Sequence, residues 1–353
     1  MKVSRRAFLG TGTAATLVGL GQLRQKPAVA QFGRRNRNVV NLYSSRHYDT
    51  DESLYESFKE ATGIQVNVIE ASADQLIERI KSEGANSPAD LLMTVDAGRL
   101  WRAEQEDLFE PVSSSVLTET IPDYLRHPDG LWFGLTKRAR ALIYNKDRVD
   151  PGELSTYEAL TEPKWRGRIL VRSSNNIYNQ SLVGSIIAAH GETEAEQWVN
   201  GLVRNFAREP EGNDVGQIRA AAAGLGDIAI ANTYYLARLM KSDSPTNQEI
   251  ARRIRVFFPN QSDRGTHINI SGAGVLKTAP NKESAIKFLE YLISPEAQEI
   301  FAEGNNEYPV VEGVAVNSTV ASFGDFKEDS VNASIIGSNN SAAVRVCDRA
   351  GWQ

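Results

Sequence analysis

Apolar positions along the chain switch repeatedly between a two-residue and a helical period. Residues 39–43 form a short β-type run. A helix is predicted next, through Leu54, Tyr55, Phe58 and Ala61, with Thr50 or Asp51 as its cap and Gly63 past its end. Residues 64–69 alternate apolar and polar, the pattern of a half-buried strand. Residues 73–82 place Leu76, Ile77 and Ile80 on one helical face. A buried strand at 91–95 and a helix at 97–105 complete the series. Alternation of strand and helix predicts an α/β layer with a largely parallel sheet.

Residues 131–145 break this rhythm. The stretch holds Trp132, Phe133, Leu135, Ala139, Ala141, Ile143 and Tyr144, with Lys137, Arg138 and Arg140 embedded in it. It reads as one long strand running from one lobe to another. Beyond it, strands are predicted at 169–171, 227–231 and 253–258. Helices are predicted at 180–189, 194–206 and 215–223. The Gly-containing strand at 267–276 is placed to cross back. Helices at 282–293 and 295–303 follow, then a polar Asn/Ser-rich tail at 332–341 and a helix through Val344 and Val346. The expected architecture is α/β with two discontinuous lobes: 31–135 plus 268–305, and 136–267 plus 306–353. Two crossings between lobes place a ligand cleft between them, where binding sites concentrate and where hinge closure acts.

The first thirty residues are set apart from this fold. Ser4-Arg5-Arg6-Ala7-Phe8-Leu9 precedes an uncharged apolar stretch ending at Leu23, and Ala28-Val29-Ala30 offers a small-residue cleavage site. This is the pattern of a cleavable twin-arginine export signal, and the apolar part is short for a membrane span. The chain carries 39 basic and 44 acidic residues. The leader holds five of the basic residues and no acid, so the mature part has 34 against 44, a net of −10. Such a balance argues against nucleic-acid binding. It favours cationic over anionic small solutes. No later run approaches transmembrane length, which predicts a soluble mature protein. Cys347 is the single cysteine, which excludes an internal disulfide and a thiolate metal site. A small buried hydrophobe is its expected role.

The candidate chemistry lies in three segments of one format: strand, polar turn, tyrosine, helix. Tyr43-Ser44-Ser45-Arg46-His47-Tyr48-Asp49 follows the first strand. Ser173-Ser174-Asn175-Asn176-Ile177-Tyr178-Asn179 follows the strand at 169–171. Asn232-Thr233-Tyr234-Tyr235 follows the strand at 227–231. Each has an ordinary structural reading: a capping turn, an Asn-rich turn, or rings packed at a core boundary. Their shared position beyond strand ends is also where open α/β sheets hold ligands. Phenols are hard oxygen donors, and a phenol ionises near neutral pH only beside a strong cation. Ferric iron suits such donors better than calcium, magnesium or zinc, whose usual carboxylate or His-rich clusters are absent. Four phenolates on Fe(III) would leave a formal charge of −1. Arg138 and Arg238 are candidates to offset it, Arg238 lying one helical turn after Tyr235. Either arginine could equally serve an ordinary surface ion pair.

At these residues the chain resembles the ferric-iron-binding proteins of ABC importers, most closely the cyanobacterial FutA type. The resemblance runs through 43–51 (YSSRHYDTD), 88–100 (PADLLMTVDAGRL), 157–169 (YEALTEPKWRGRI), 232–235 (NTYY) and 294–310 (SPEAQEIFAEGNNEYPV). It implies a type II two-lobed periplasmic binding protein with Fe3+ in the cleft. It implies Tyr48, Tyr178, Tyr234 and Tyr235 as phenolate ligands and His47 as a possible fifth, with Arg138 and Arg238 balancing charge nearby. It also implies delivery to an ABC-type permease driven by an ATPase, by a monomeric protein of the periplasm or a thylakoid lumen. The related bacterial subtype uses fewer tyrosines, a carboxylate and an exogenous anion. A phenol beside His47 departs from that pattern.

Two other functions compete on sequence grounds. A protein of the same fold could bind an organic solute, such as a polyamine or organic acid, with the tyrosines stacking or hydrogen-bonding. A secreted hydrolase would need a nucleophile and a base. No G-x-S-x-G elbow is present, and His127, His190 and His267 stand isolated. No enzymatic activity is expected.

Overall fold

The computed structural model describes residues 38–46, 48 and 50–353. The expected export leader at 1–30 and the candidate ligand His47 lie outside the described residues. Nine strands are present among them: β1 (Val39–Ser44), β2 (Gln65–Glu70), β3 (Leu91–Val95), β4 (Phe133–Asn145), β5 (Ile169–Leu170), β6 (Ile228–Asn232), β7 (Ile254–Phe257), β8 (Ile268–Val275) and β9 (Tyr308–Pro309). Their spatial order is β2-β1-β3-β8-β4-β6-β5, with β7 and β9 also paired to β4.

The first hundred residues fold as their periodicity predicts. β1 runs parallel to both β2 and β3. The helix Asp51–Thr62 ends at Gly63, whose φ of 71° suits a residue without a Cβ and whose N–H closes on the Lys59 carbonyl. Helix Ala73–Glu83 starts with a reciprocal capping box between Ser72 and Gln75. β8 then enters this sheet antiparallel, between β3 and β4. The sheet is therefore mixed rather than largely parallel overall.

β4 joins the two halves of the molecule. Residues Phe133 to Ala139 pair with β8, and Arg140 to Tyr144 pair with β6. The first half adjoins an apolar core containing Leu42, Leu92, Phe133 and Phe288. The second half adjoins cores on both faces of β6. Along β6, Ile228 and Ile230 enter one of these cores, and Ala229 and Ala231 the other, as the two-residue period of a strand requires. The return is made before β8 rather than by it. β7 pairs with the far half of β4 and β8 with the near half, so the chain crosses back in the segment 258–267.

Two local differences have physical causes. The helix predicted at 180–189 begins at Ile177. Asn176 supplies its cap by accepting from the Tyr178 N–H, and Asn179 is turned inward to other work. Tyr178 thus stands in the first helical turn rather than in the preceding loop. Short helices at Ser115–Thr120 and Pro245–Arg253 carry no predicted counterpart. The second has no buried residue, so no apolar face announces it.

His267, in the return segment, is buried and its imidazole is held down to about 3, first by burial and then by Arg140, Arg264 and Arg138. The folded protein keeps this ring neutral, whereas the unfolded chain takes up a proton below about 6.5. The unfolded state binds more protons between those two values. Stability should therefore fall as pH drops from about 6.5 towards 3, by at most ~1.4 kcal/mol per pH unit from this group. Urea unfolding of the parent and of His267→Gln across that range checks this: the variant should show the shallower slope.

Candidate functional site

The three tyrosine-bearing segments converge on one cavity of roughly 300 Å³. Tyr48, Tyr178, Tyr234 and Tyr235 line it, together with Arg46, Arg99 and Arg238. Each phenol arrives by its own route. Tyr48 follows the carboxyl end of β1, just before helix Asp51–Thr62. Tyr178 lies in the first turn of helix Ile177–His190. Tyr234 and Tyr235 open helix Thr233–Met240, directly after β6. Successive helical positions diverge by about 100°. The Tyr234 and Tyr235 rings nevertheless sit with centroids 4.2 Å apart and planes tilted by 39°. The Tyr234 hydroxyl lies 3.4 Å from that of Tyr178.

Beneath the phenols is a layer of buried charge. Arg138, only 2% exposed, lies 5.3 Å from the Tyr178 ring centroid. Its Nη1 donates to Ser271 Oγ at 3.2 Å, and its Nη2 approaches Asp96 at 3.8 Å. Nε and Nη2 have no hydrogen-bond partner among the described residues. Arg46 donates to both Asp51 and Glu307, all three buried, and its guanidinium lies 4.7 Å from the Tyr48 ring.

Arg140 ties the tyrosine-bearing segments together. Its Nη1 reaches Asp214 at 3.1 Å and Asn232 Oδ1 at 3.0 Å. Its Nη2 reaches Asn179 Oδ1 and the Ile230 carbonyl. Asn179 adjoins Tyr178, and Asn232 precedes the helix that carries Tyr234 and Tyr235. One guanidinium thereby fixes two of the three phenol routes.

Burial makes Tyr48, Tyr234 and Tyr235 poorer acids than a free phenol. It raises Tyr48, with Glu307 adding to the effect and Arg46 and Arg138 opposing it. Burial and the neighbouring phenols Tyr178, Tyr48 and Tyr235 raise Tyr234 well above the ordinary value. Tyr235 is pushed up to about 12, first by burial and then by Tyr178. Burial works against the charge on Arg138, yet Tyr178, Asp96 and Tyr234 hold its proton more firmly than usual. The cavity thus sets phenol oxygens beside fixed positive charge. Only a strong cation can draw phenolates from it. Among the described residues no group of three or more His, Cys, Asp and Glu side chains is placed to hold a metal.

The sequence-predicted residues separate into three groups. Tyr48, Tyr178, Tyr234, Tyr235 and Arg238 line the cavity itself. Arg138 lies against the ring of Tyr178, buried. His47 lies outside the described residues. Sequence reading placed Arg46 only within the first candidate segment, and missed Asp96, Arg140, Asp214 and Glu307 as parts of the site. Arg138 and Arg140 had a readable signal, since residues two apart on a strand share a face. Glu307, 261 positions from Arg46, had none.

The sequence pattern of the family described as "Bacterial extracellular solute-binding protein" matches residues 86–325. "Iron uptake protein A2" of Synechocystis sp. is 57% identical, across 100% of this chain and 99% of that protein. "Major ferric iron-binding protein" of Neisseria meningitidis is 28% identical, covering 89% of this chain and 93% of that one. A solved structure of Trichodesmium FutA (IdiA) in complex with iron and citrate superposes with a TM-score of 0.88 at 62% identity. It covers 89% of this chain and 100% of that one.

Arg140→Ala should cost about 3–5 kcal/mol, the usual penalty for stranding a buried partner such as Asp214. Urea denaturation measures this. A loss under 1 kcal/mol would mean that Arg172, 3.9 Å from Asp214, suffices as its counter-charge.

Proposed function

Because the chain belongs to the bacterial extracellular solute-binding proteins, we propose that its cleft holds ferric iron through the phenolates of Tyr48, Tyr178, Tyr234 and Tyr235. The protein binds Fe3+ as a transported ligand for iron uptake and is not an enzyme. One observation carries the assignment of ligands. Four phenols from three separate segments line a single cavity, with a buried, incompletely partnered guanidinium lying against one of them.

The chemistry follows from charge. Fe(III) supplies the field needed to ionise Tyr48, Tyr234 and Tyr235, whose protons burial holds more firmly. Four phenolates leave the complex at −1, and Arg138 offsets that charge from beneath. Arg238, exposed at the cavity, screens it from the solvent side. His47 is a further ligand candidate.

The protein works outside the cytoplasm, in solute-binding transport that delivers cargo to an ABC permease. Our reading extends this to a monomer that loads an iron permease powered by its own ATPase. The leader would direct the folded protein through the twin-arginine route to the periplasm, with a thylakoid lumen as the other destination of that route. The two lobes are assigned to 31–135 plus 268–305 and to 136–267 plus 306–353.

Phenolate-to-Fe(III) charge transfer absorbs visible light, so the purified protein should colour on addition of ferric citrate. A protein that stays colourless would overturn the reading. Tyr234→Phe should weaken ferric binding by more than the roughly 10–100-fold typical of losing a residue behind a ligand. Its thermal unfolding without iron should match the parent, because the ring is kept.

Iron binding must also displace the phenol protons. Tyr48, Tyr234 and Tyr235 all hold theirs above the ordinary range, so binding releases protons and weakens as pH falls. Competition with a chelator between pH 8 and pH 4 measures this, and affinity that stays flat would exclude phenolate ligation.

A further inference from the structure

Asp96 stands out from its surroundings. It closes β3 and caps helix Ala97–Gln105, accepting from the Gly98 N–H at 2.9 Å. Its φ of 104° lies where residues other than glycine are strained, and the side chain is fully buried. Strain of this kind persists only where the surroundings over-determine it.

The surroundings of Asp96 come from both halves of the molecule. Asn269 of β8 donates to Oδ2 at 2.8 Å, and Arg138 of β4 lies 3.8 Å away. The remaining donor is Ser181, whose Oγ meets Oδ1 at 2.6 Å. Ser181 belongs to helix Ile177–His190, whose Leu182, Val183 and Ile186 pack in a different core from that of β3. That helix also carries Tyr178. A second close approach reinforces the seam, for a Cβ on Gly98 would fall 3.0 Å from Ile177 Cδ1. A side chain there would have to push the end of Ile177 aside.

We propose that Asp96 is a positioning residue of the cleft: its carboxylate ties the Tyr178 helix to the end of β3 through Ser181, while flanking the Arg138 guanidinium. One group then sets both the place of the Tyr178 helix against β3, the neighbour of the strand that leads to Tyr48, and the orientation of the cation beside it. A hydrogen bond to a charged carboxylate in a dry setting is among the stronger kinds available to a protein. It acts on iron through two others, Tyr178 and Arg138, rather than by touching it.

The inference rests on the ferric reading of the cavity, but its first test needs no iron. Ser181→Ala removes the tie and still leaves Asp96 Oδ1 the Gly98 N–H. Amide exchange followed by mass spectrometry on the metal-free protein should accelerate at least about tenfold at residues 181–184 and stay unchanged at 187–190, as loss of one such bond predicts. No acceleration, or uniform acceleration along the helix, overturns the proposal. In the iron-loaded protein, release to EDTA should quicken about tenfold in Ser181→Ala, and unchanged release overturns the positioning role. Asp96→Asn separates the second arm: it keeps an acceptor for Ser181 but removes the charge facing Arg138. Exchange at 181–184 should then stay near the parent while the ferric absorption band moves. A band unmoved in Asp96→Asn overturns the Arg138 arm. A colourless parent protein would instead mark failure of the ferric reading, which the exchange experiment on the metal-free protein does not share.

Discussion

Thirteen residues, Phe133–Asn145, form one uninterrupted strand shared by both halves of the molecule, and the site depends on that continuity. A strand must satisfy its backbone hydrogen bonds along its whole length. β8 does this for the first half and β6 for the second. The change of partner falls between Ala139 and Arg140. Arg138 and Arg140 flank that junction and, being two apart, face the same way. One lies against Tyr178 and the other ties the Tyr178 and Tyr234 segments together. The crossing strand is therefore also the source of the positive charge beneath the cavity.

Three buried arginines would be a liability without compensation, since burying an isolated charge costs several kcal/mol. Here each has carboxylate partners: Arg46 has Asp51 and Glu307, Arg140 has Asp214, and Arg138 approaches Asp96. The third of these pairings is the loosest, at 3.8 Å, and two nitrogens of Arg138 lack hydrogen-bond partners. The least satisfied of the three, Arg138, lies against Tyr178. A complex of −1 charge in the cavity would meet the guanidinium with the most unmet capacity.

Two of the three phenol routes enter helices within the first turn, where the helix end favours negative charge on a nearby ligand. Burial opposes ionisation of Tyr48, Tyr234 and Tyr235, which hold their protons above the ordinary range. On the proposed ligation, a trivalent cation would supply the charge that offsets this burial. Selectivity would follow from this opposition, because a weaker cation offsets less of the cost of burying phenolates.

Much of this was legible in the chain alone. The alternation of periods fixed the strands and most helices of the first half, and the apolar stretch around Arg138 marked the crossing strand. The repeated strand–turn–tyrosine–helix format marked Tyr48, Tyr178, Tyr234 and Tyr235, because strand ends expose their following residues whatever the fold does later. Helix Pro245–Arg253 escaped notice because it buries no face. What the sequence lacked was long-range geometry. Arg46 and Glu307 lie 261 positions apart, and Asp96 and Ser181 85 apart, so no local spacing pairs them. Residue type and period determined which groups stand at strand ends. Only the tertiary structure decided that three such ends meet at one cavity over shared buried charge, because that meeting depends on where β4 changes partners.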